Sequence, residues 1–186
     1  MSKEKLSTQD IIKMAAEAGA KAAMETLEKE RQRDRREMAD RRLRNTKLLL
    51  RNYRVFRAHV SNAVYEVEEY EPLEDIWADL MMPGRDTSLF VESIKKSVAR
   101  TATIVRHMAA MMQLYQTSCY ASGNAEDERR WQVIYALYVC EDEGHRTISQ
   151  LAKEFGVVER TIYNDIDVAS ERIAALMFGI DGIKRK

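Results

Sequence analysis

The sequence predicts an all-α protein: a long antiparallel helical hairpin followed by a C-terminal helix-turn-helix, with an extended helical arm in front. Three observations predict it. The 186 residues hold only two prolines and seven glycines, a poor fit to a β-sandwich with many tight turns. Apolar residues recur at spacings of 3 and 4 over long stretches, the period of a helix with one buried face. Charged residues make up 32% of the chain and hydrophobic residues 45%, enough for a core with many solvated helix faces.

The arm is assigned to residues 1–47. Thr8 is a good helix start, and Ala15, Ala16, Ala18, Ala20, Ala22 and Ala23 give the segment up to Leu27 a high helix propensity. Those side chains are small and bury little area. Glu28 to Glu37 then holds no apolar residue. Pairs such as Glu37–Arg41 and Asp40–Arg44 can keep it helical, but it cannot anchor itself to a core. A partner is expected to order it.

Residues 48–122 are assigned to the hairpin. Leu49, Tyr53, Phe56, Val60, Ala63, Val67 and Tyr70 form a heptad seam. Pro72, Pro83 and Gly84 mark the break that follows, with room for a short helical turn at Glu74–Met82. Ser88 can cap the returning helix. Its stripe is Val91, Ile94, Val98, Ala102, Val105, Met108, Met112, Tyr115 and Cys119. Two long stripes joined by a short break argue for an antiparallel pair.

Residues 123–186 are assigned to a C-terminal unit. A helix starts near Asn124, with Asp127 at the third position of a capping-box-like arrangement. Its stripe is Trp131, Ile134, and Leu137 or Tyr138, and it ends in the acidic run before Gly144. Thr147 can then cap a short helix from Ile148 to Phe155 with Leu151, Ala152 and Phe155 on its packed face. Gly156 supplies a left-handed turn position. A second helix runs from about Glu159 to Phe178, with Ile162, Ile166, Ala169, Ile173 and Leu176 buried, and Gly179 and Ile180 as its stop. A small residue at the crossing, a glycine four residues later and an apolar anchor at Ile162 are the spacing of a helix-turn-helix.

In such a motif the first turns of the second helix face base edges in the major groove. The exposed positions there are Glu159, Arg160, Thr161, Tyr163 and Asn164. Arg160 suits guanine and Asn164 adenine, each through two bonds. Thr161 and Tyr163 suit phosphates, Thr147 and Gln150 suit backbone contacts that fix register, and Lys153 adds charge. Asp165 and Asp167 place negative charge near the groove, so binding by this segment alone is expected to be weak. A homodimer or a second DNA-bound protein is then needed.

Charge is balanced overall and uneven along the chain. From Lys29 to Arg57 there are twelve basic and four acidic residues; from Glu66 to Glu92 there are one and nine. The basic stretch reads as a solvated face or one paired with acidic segments, ahead of a nucleic-acid surface.

The stretch TISQLAKEFGVVERTIYNDIDVASERIAALMFGIDGI resembles the C-terminal motif of phage late-gene transcriptional regulators of the RinA and ArpU type, whose helix-turn-helix is similar to region four of bacterial sigma factors. LLLRNYRVFRAHVSNAVYEVEE, FVESIKKSVARTATIVRHM and ERRWQVIYALYV resemble the helical part of the same group. The resemblance covers roughly residues 48–183. It implies binding of double-stranded DNA through Arg160, Thr161, Tyr163 and Asn164, and activation of phage or prophage promoters with RNA polymerase as a further partner. In that group a hydroxyl residue usually precedes the recognition helix; here the position is Val158, which removes an N-cap and a phosphate contact.

No Walker loop, GxSxG or HExxH motif is present, so an enzyme is not expected. Cys119 and Cys140 fit no zinc or disulfide spacing, and His59, His107 and His145 lie on separate elements, so no cofactor or metal is expected. No apolar run approaches the ~20 residues of a membrane span, and the N-terminus lacks an apolar signal region, which points to the cytoplasm of a bacterial host. A DNA-packaging protein similar to a small terminase subunit, and a helical interaction protein that binds no nucleic acid, are the alternatives.

Overall fold

The computed structural model describes residues 7–61, 72–82, 97–141 and 146–179. Among them are six α-helices and no strand, so the chain is all-α. No helix among the described residues is long and apolar enough to cross a membrane. The helices are α1 (Thr8–Ser61), α2 (Leu73–Met81), α3 (Val98–Ala121), α4 (Ala125–Ile134), α5 (Ile148–Glu154) and α6 (Glu159–Phe178).

The chain divides into two units, residues 1–38 and 39–186. The first contributes the N-terminal part of α1, and its described side chains, from Ser7 to Met38, are all exposed. Its alanine run and charged run give helix propensity without a face to bury. Glu37 pairs with Arg33 at 3.2 Å rather than with Arg41.

The unit boundary falls at Met38, ahead of the expected 47, and the reason lies in Arg41, Asn45 and Thr46. Asn45 and Thr46 are buried. Asn45 Nδ2 donates to the Leu80 carbonyl at 3.0 Å and Arg41 Nη1 to the Met81 carbonyl at 2.7 Å. Both carbonyls belong to the last turn of α2, where no intrahelical donor remains. The charged segment thus caps a neighbouring helix.

Across the expected boundary at 122, one core cluster joins described residues from Leu49 to Met177. Leu49, Leu50, Tyr53 and Phe56 of α1, Ile76 and Leu80 of α2, and Ile104, Met108, Met112, Tyr115 and Cys119 of α3 share it with Trp131, Ile134, Ala169, Ile173 and Met177. Among the described elements, α3 packs chiefly on α4 and α6. Helix α6 joins this core through Ala169, Ile173 and Met177, an apolar patch beyond the one at Ile162. In α3 Ile104 takes the fully buried place expected of Val105, which is partly buried. Ser97 caps α3, its hydroxyl accepting from Arg100 N. Val60 is half-buried near the end of α1. The remaining seam positions Ala63, Val67 and Tyr70, with Ser88, Val91, Ile94, Gly84, Gly144, His145 and Ile180, fall outside the described residues.

Asn124 caps α4 by accepting from Glu126 N at 3.0 Å. Asp127 does not close a capping box; its carboxylate is taken by arginines. The end of α4 widens into a π-turn, Tyr135–Val139, with Cys140 N donating to Tyr135 O at 2.8 Å. There the Ala136 carbonyl accepts from Arg54 Nη2 of α1 at 2.9 Å.

Candidate nucleic-acid interface

Residues 146–179 form two helices joined by a tight turn, and each step has a local cause. Thr147 and Gln150 make a reciprocal capping box: Thr147 Oγ1 accepts from Gln150 N at 3.3 Å, and Gln150 Oε1 accepts from Thr147 N at 2.7 Å. Helix α5 ends in a Schellman motif. Val157 N donates to Ala152 O at 2.9 Å and Gly156 N to Lys153 O at 3.3 Å. Gly156 takes φ +64°, which any side chain would strain.

The second core cluster holds this pair together. Val133 of α4, Leu151 and Ala152 of α5, and Ile162 of α6 are buried, with Ala136, Leu137, Ile148, Phe155, Val157 and Ile166 packed around them. Helix α6 therefore has two inward patches: Ile162 in this cluster and Ala169, Ile173 and Met177 in the main core. Met177, not Leu176, occupies the last buried position; Leu176 is 39% exposed.

The outward side of α6 carries the expected readers. Glu159, Arg160, Tyr163 and Asn164 are exposed. Arg160 and Asn164 are four residues apart and share a face, with Tyr163 beside them. Thr161 is half-buried at the flank. Lys153 stands exposed on α5, and Thr147 and Gln150 are exposed but already bonded to each other. Val158, at the N-cap with no side-chain bond, is 69% exposed.

The two aspartates expected to repel DNA are neutralised. Asp165 is buried, its carboxylate accepting from Arg129 Nε at 2.7 Å and Arg129 Nη2 at 3.3 Å, with Arg130 Nε at 3.4 Å. Asp167 is paired with Lys47 Nζ of α1 at 2.6 Å. Behind Asp165 the network continues. Asp127 accepts from Arg130 Nη1 at 2.5 Å and from Arg172 Nη1 at 2.8 Å, and Arg130 also pairs with Glu126. Burial pushes the Asp127 carboxyl up, but the arginines outweigh it and hold it below the usual carboxylate range. Bonding to Asp165 raises the Arg129 guanidinium. Sequence reasoning missed this network, though a signal was present: Asp165 falls on the apolar stripe, three residues after Ile162, and a charge there needs a partner.

Other expected features are placed apart from this face. His59 and His107 are half-buried, and neither Cys119 nor Cys140 forms a disulfide among the described residues. Among the described residues no group of three His, Cys, Asp or Glu side chains is placed to hold a metal.

No family model matches the chain, and neither a curated protein nor a solved structure matches it.

Proposed function

We propose that residues 146–179 are a helix-turn-helix and that α6 reads the major groove of double-stranded DNA, which makes the protein a transcriptional regulator of phage or prophage genes. One observation carries this: Arg160, Tyr163 and Asn164 stand exposed on one side of a helix whose opposite side is held by Ile162 and the buried Asp165. A reading helix needs that combination of a fixed back and a free polar front. The Schellman turn at Gly156 supports it, since it sets the second helix against the first with a four-residue connection, Phe155–Val158. The resemblance of this stretch to RinA- and ArpU-type regulators supports the regulatory role, with RNA polymerase as a partner and a homodimer supplying a second contact.

The experiment is fluorescence anisotropy on a site mapped by genome-wide binding, against a scrambled duplex. The parent is expected to favour the mapped site, and Arg160→Ala and Asn164→Ala are expected to lose that preference while remaining folded. A lost bidentate base contact costs about 1–3 kcal/mol of discrimination. If both variants discriminate like the parent, α6 is not the reader and a packaging or protein-interaction role takes its place.

A further inference from the structure

The front of the reading unit is poor in free positive charge. Lys153 and Arg160 are offset by the exposed Glu159 and Glu171, and Arg146 is tied to Glu154 at 2.6 Å. A DNA-binding surface needs phosphate neutralisation, which supplies most of the non-specific affinity. The missing charge stands next door, on α1.

Lys47 reaches Asp167 at 2.6 Å, and Asp167 lies three residues past Asn164 and four past Tyr163, on the same face of α6. Helix α1 therefore runs beside the reading face. Arg44 and Arg51 lie three residues before Lys47 and four after it, so the three share one ridge of α1. Both arginines are exposed, and neither makes an ion pair within the described residues. At 1.5 Å rise per residue the ridge is about 10 Å long. The basic residues around it are committed elsewhere: Arg41 to Met81, Arg54 to Ala136, Arg57 to Glu141 at 3.1 Å.

We propose that Arg44 and Arg51 form a phosphate-contacting ridge that grips the DNA backbone flanking the groove read by α6, with Lys47 cancelling the Asp167 charge between them. This rests on the reading of α6 as the groove-entering helix. The ridge carries affinity without sequence information, since phosphates are the same at every base pair.

The test uses the full chain with the double variant Arg44→Ala/Arg51→Ala, on the mapped and the scrambled duplex across a salt series. Both affinities are expected to fall by a similar factor, on the order of tenfold, and the slope of log K against log salt is expected to shrink by about 2, near 0.9 per phosphate lost. The ratio of mapped to scrambled affinity stays as in the parent. The charge-conserving Arg44→Lys/Arg51→Lys variant is expected to keep the parent slope, which separates charge from folding. If Arg44→Ala/Arg51→Ala keeps both the affinity and the slope while Arg160→Ala loses discrimination, the ridge is refuted and the reading helix stands. If the parent shows no salt-dependent affinity for either duplex, the reading of α6 itself fails and the ridge with it. A selective loss on the mapped duplex also overturns the ridge, because it would make Arg44 or Arg51 a base reader.

Discussion

Arg129 holds Asp165 through two hydrogen bonds, at 2.7 and 3.3 Å, and so fixes α6 to α4 from behind the face that bears Arg160. The Asp165 side chain is 1% exposed and that of Arg129 19%. Removing one member of such a pair leaves a charge desolvated and unmatched.

Asp165→Asn is therefore expected to destabilise the protein by about 3 kcal/mol, the low end for breaking a buried ion pair. For a chain of this size that lowers Tm by roughly 6–12 °C. A thermal melt checks it. An unchanged Tm would mean that the pair contributes orientation rather than stability.

Stability is expected to fall as pH drops from 7 to 5. Burial pushes the His107 imidazole below its ordinary 6.5, with a hydrogen bond to the Met177 backbone partly opposing. Its ring lies edge-on to Trp77 at 5.5 Å. The unfolded chain then takes up its proton first. This contribution is full above the unfolded value near 6.5 and is lost below it as pH falls toward the depressed folded value. His107→Gln should flatten that limb in urea melts. A second loss is expected below about pH 4, where the depressed Asp127 carboxyl is finally protonated. Asp127→Asn should remove the corresponding slope.

Val158→Ser is expected to raise stability by about 1 kcal/mol. Val158 has the extended backbone of an N-cap, φ −80° and ψ 152°, with no side-chain acceptor. Thr147→Ala is expected to cost a similar amount, since it breaks the capping box of α5. Denaturant midpoints at constant m-value measure both. A Val158→Ser variant no more stable than the parent would show that this helix start is already satisfied by solvent.

A chain beginning at Ala39 is expected to melt cooperatively at nearly the full-length temperature. One beginning at Thr46 loses the Arg41 and Asn45 bonds to the last carbonyls of α2. An orphaned buried carbonyl costs about 1–3 kcal/mol, so the shorter chain should melt several degrees lower. Equal melting temperatures would put the functional edge of the second unit at 46.

Periodicity made α1, α3 and α6 legible, because Leu49, Met108 and Ile173 repeat on the 3.6-residue helical period. Thr147 and Gly156 made both ends of α5 legible, because caps are local chemistry. What could not be read was which apolar face meets which. Met177 rather than Leu176 is buried because the main core, not the local stripe, decides the last turn of α6. The outward set Arg160, Tyr163 and Asn164 followed from Ile162 by geometry alone. The fate of Asp165 and Asp167 did not, since their partners Arg129 and Lys47 are distant in sequence and the pairing is purely tertiary. Arg41 and Asn45 were misplaced for a related reason: a polar residue that serves a neighbouring helix carries no hydrophobic mark.

Helix α6 belongs at once to the cluster around Leu151 and to the core around Met108. A two-helix unit built this way is not a portable part. Excised at residue 146, it would take Ala169, Ile173 and Met177 with it as a bare apolar strip, and grafted onto another protein it would bring that strip into solvent. Its evolution is bound to that of the trunk: a change at Ile173 that tilts α6 also re-aims Arg160, so the proposed DNA preference and core packing would drift together.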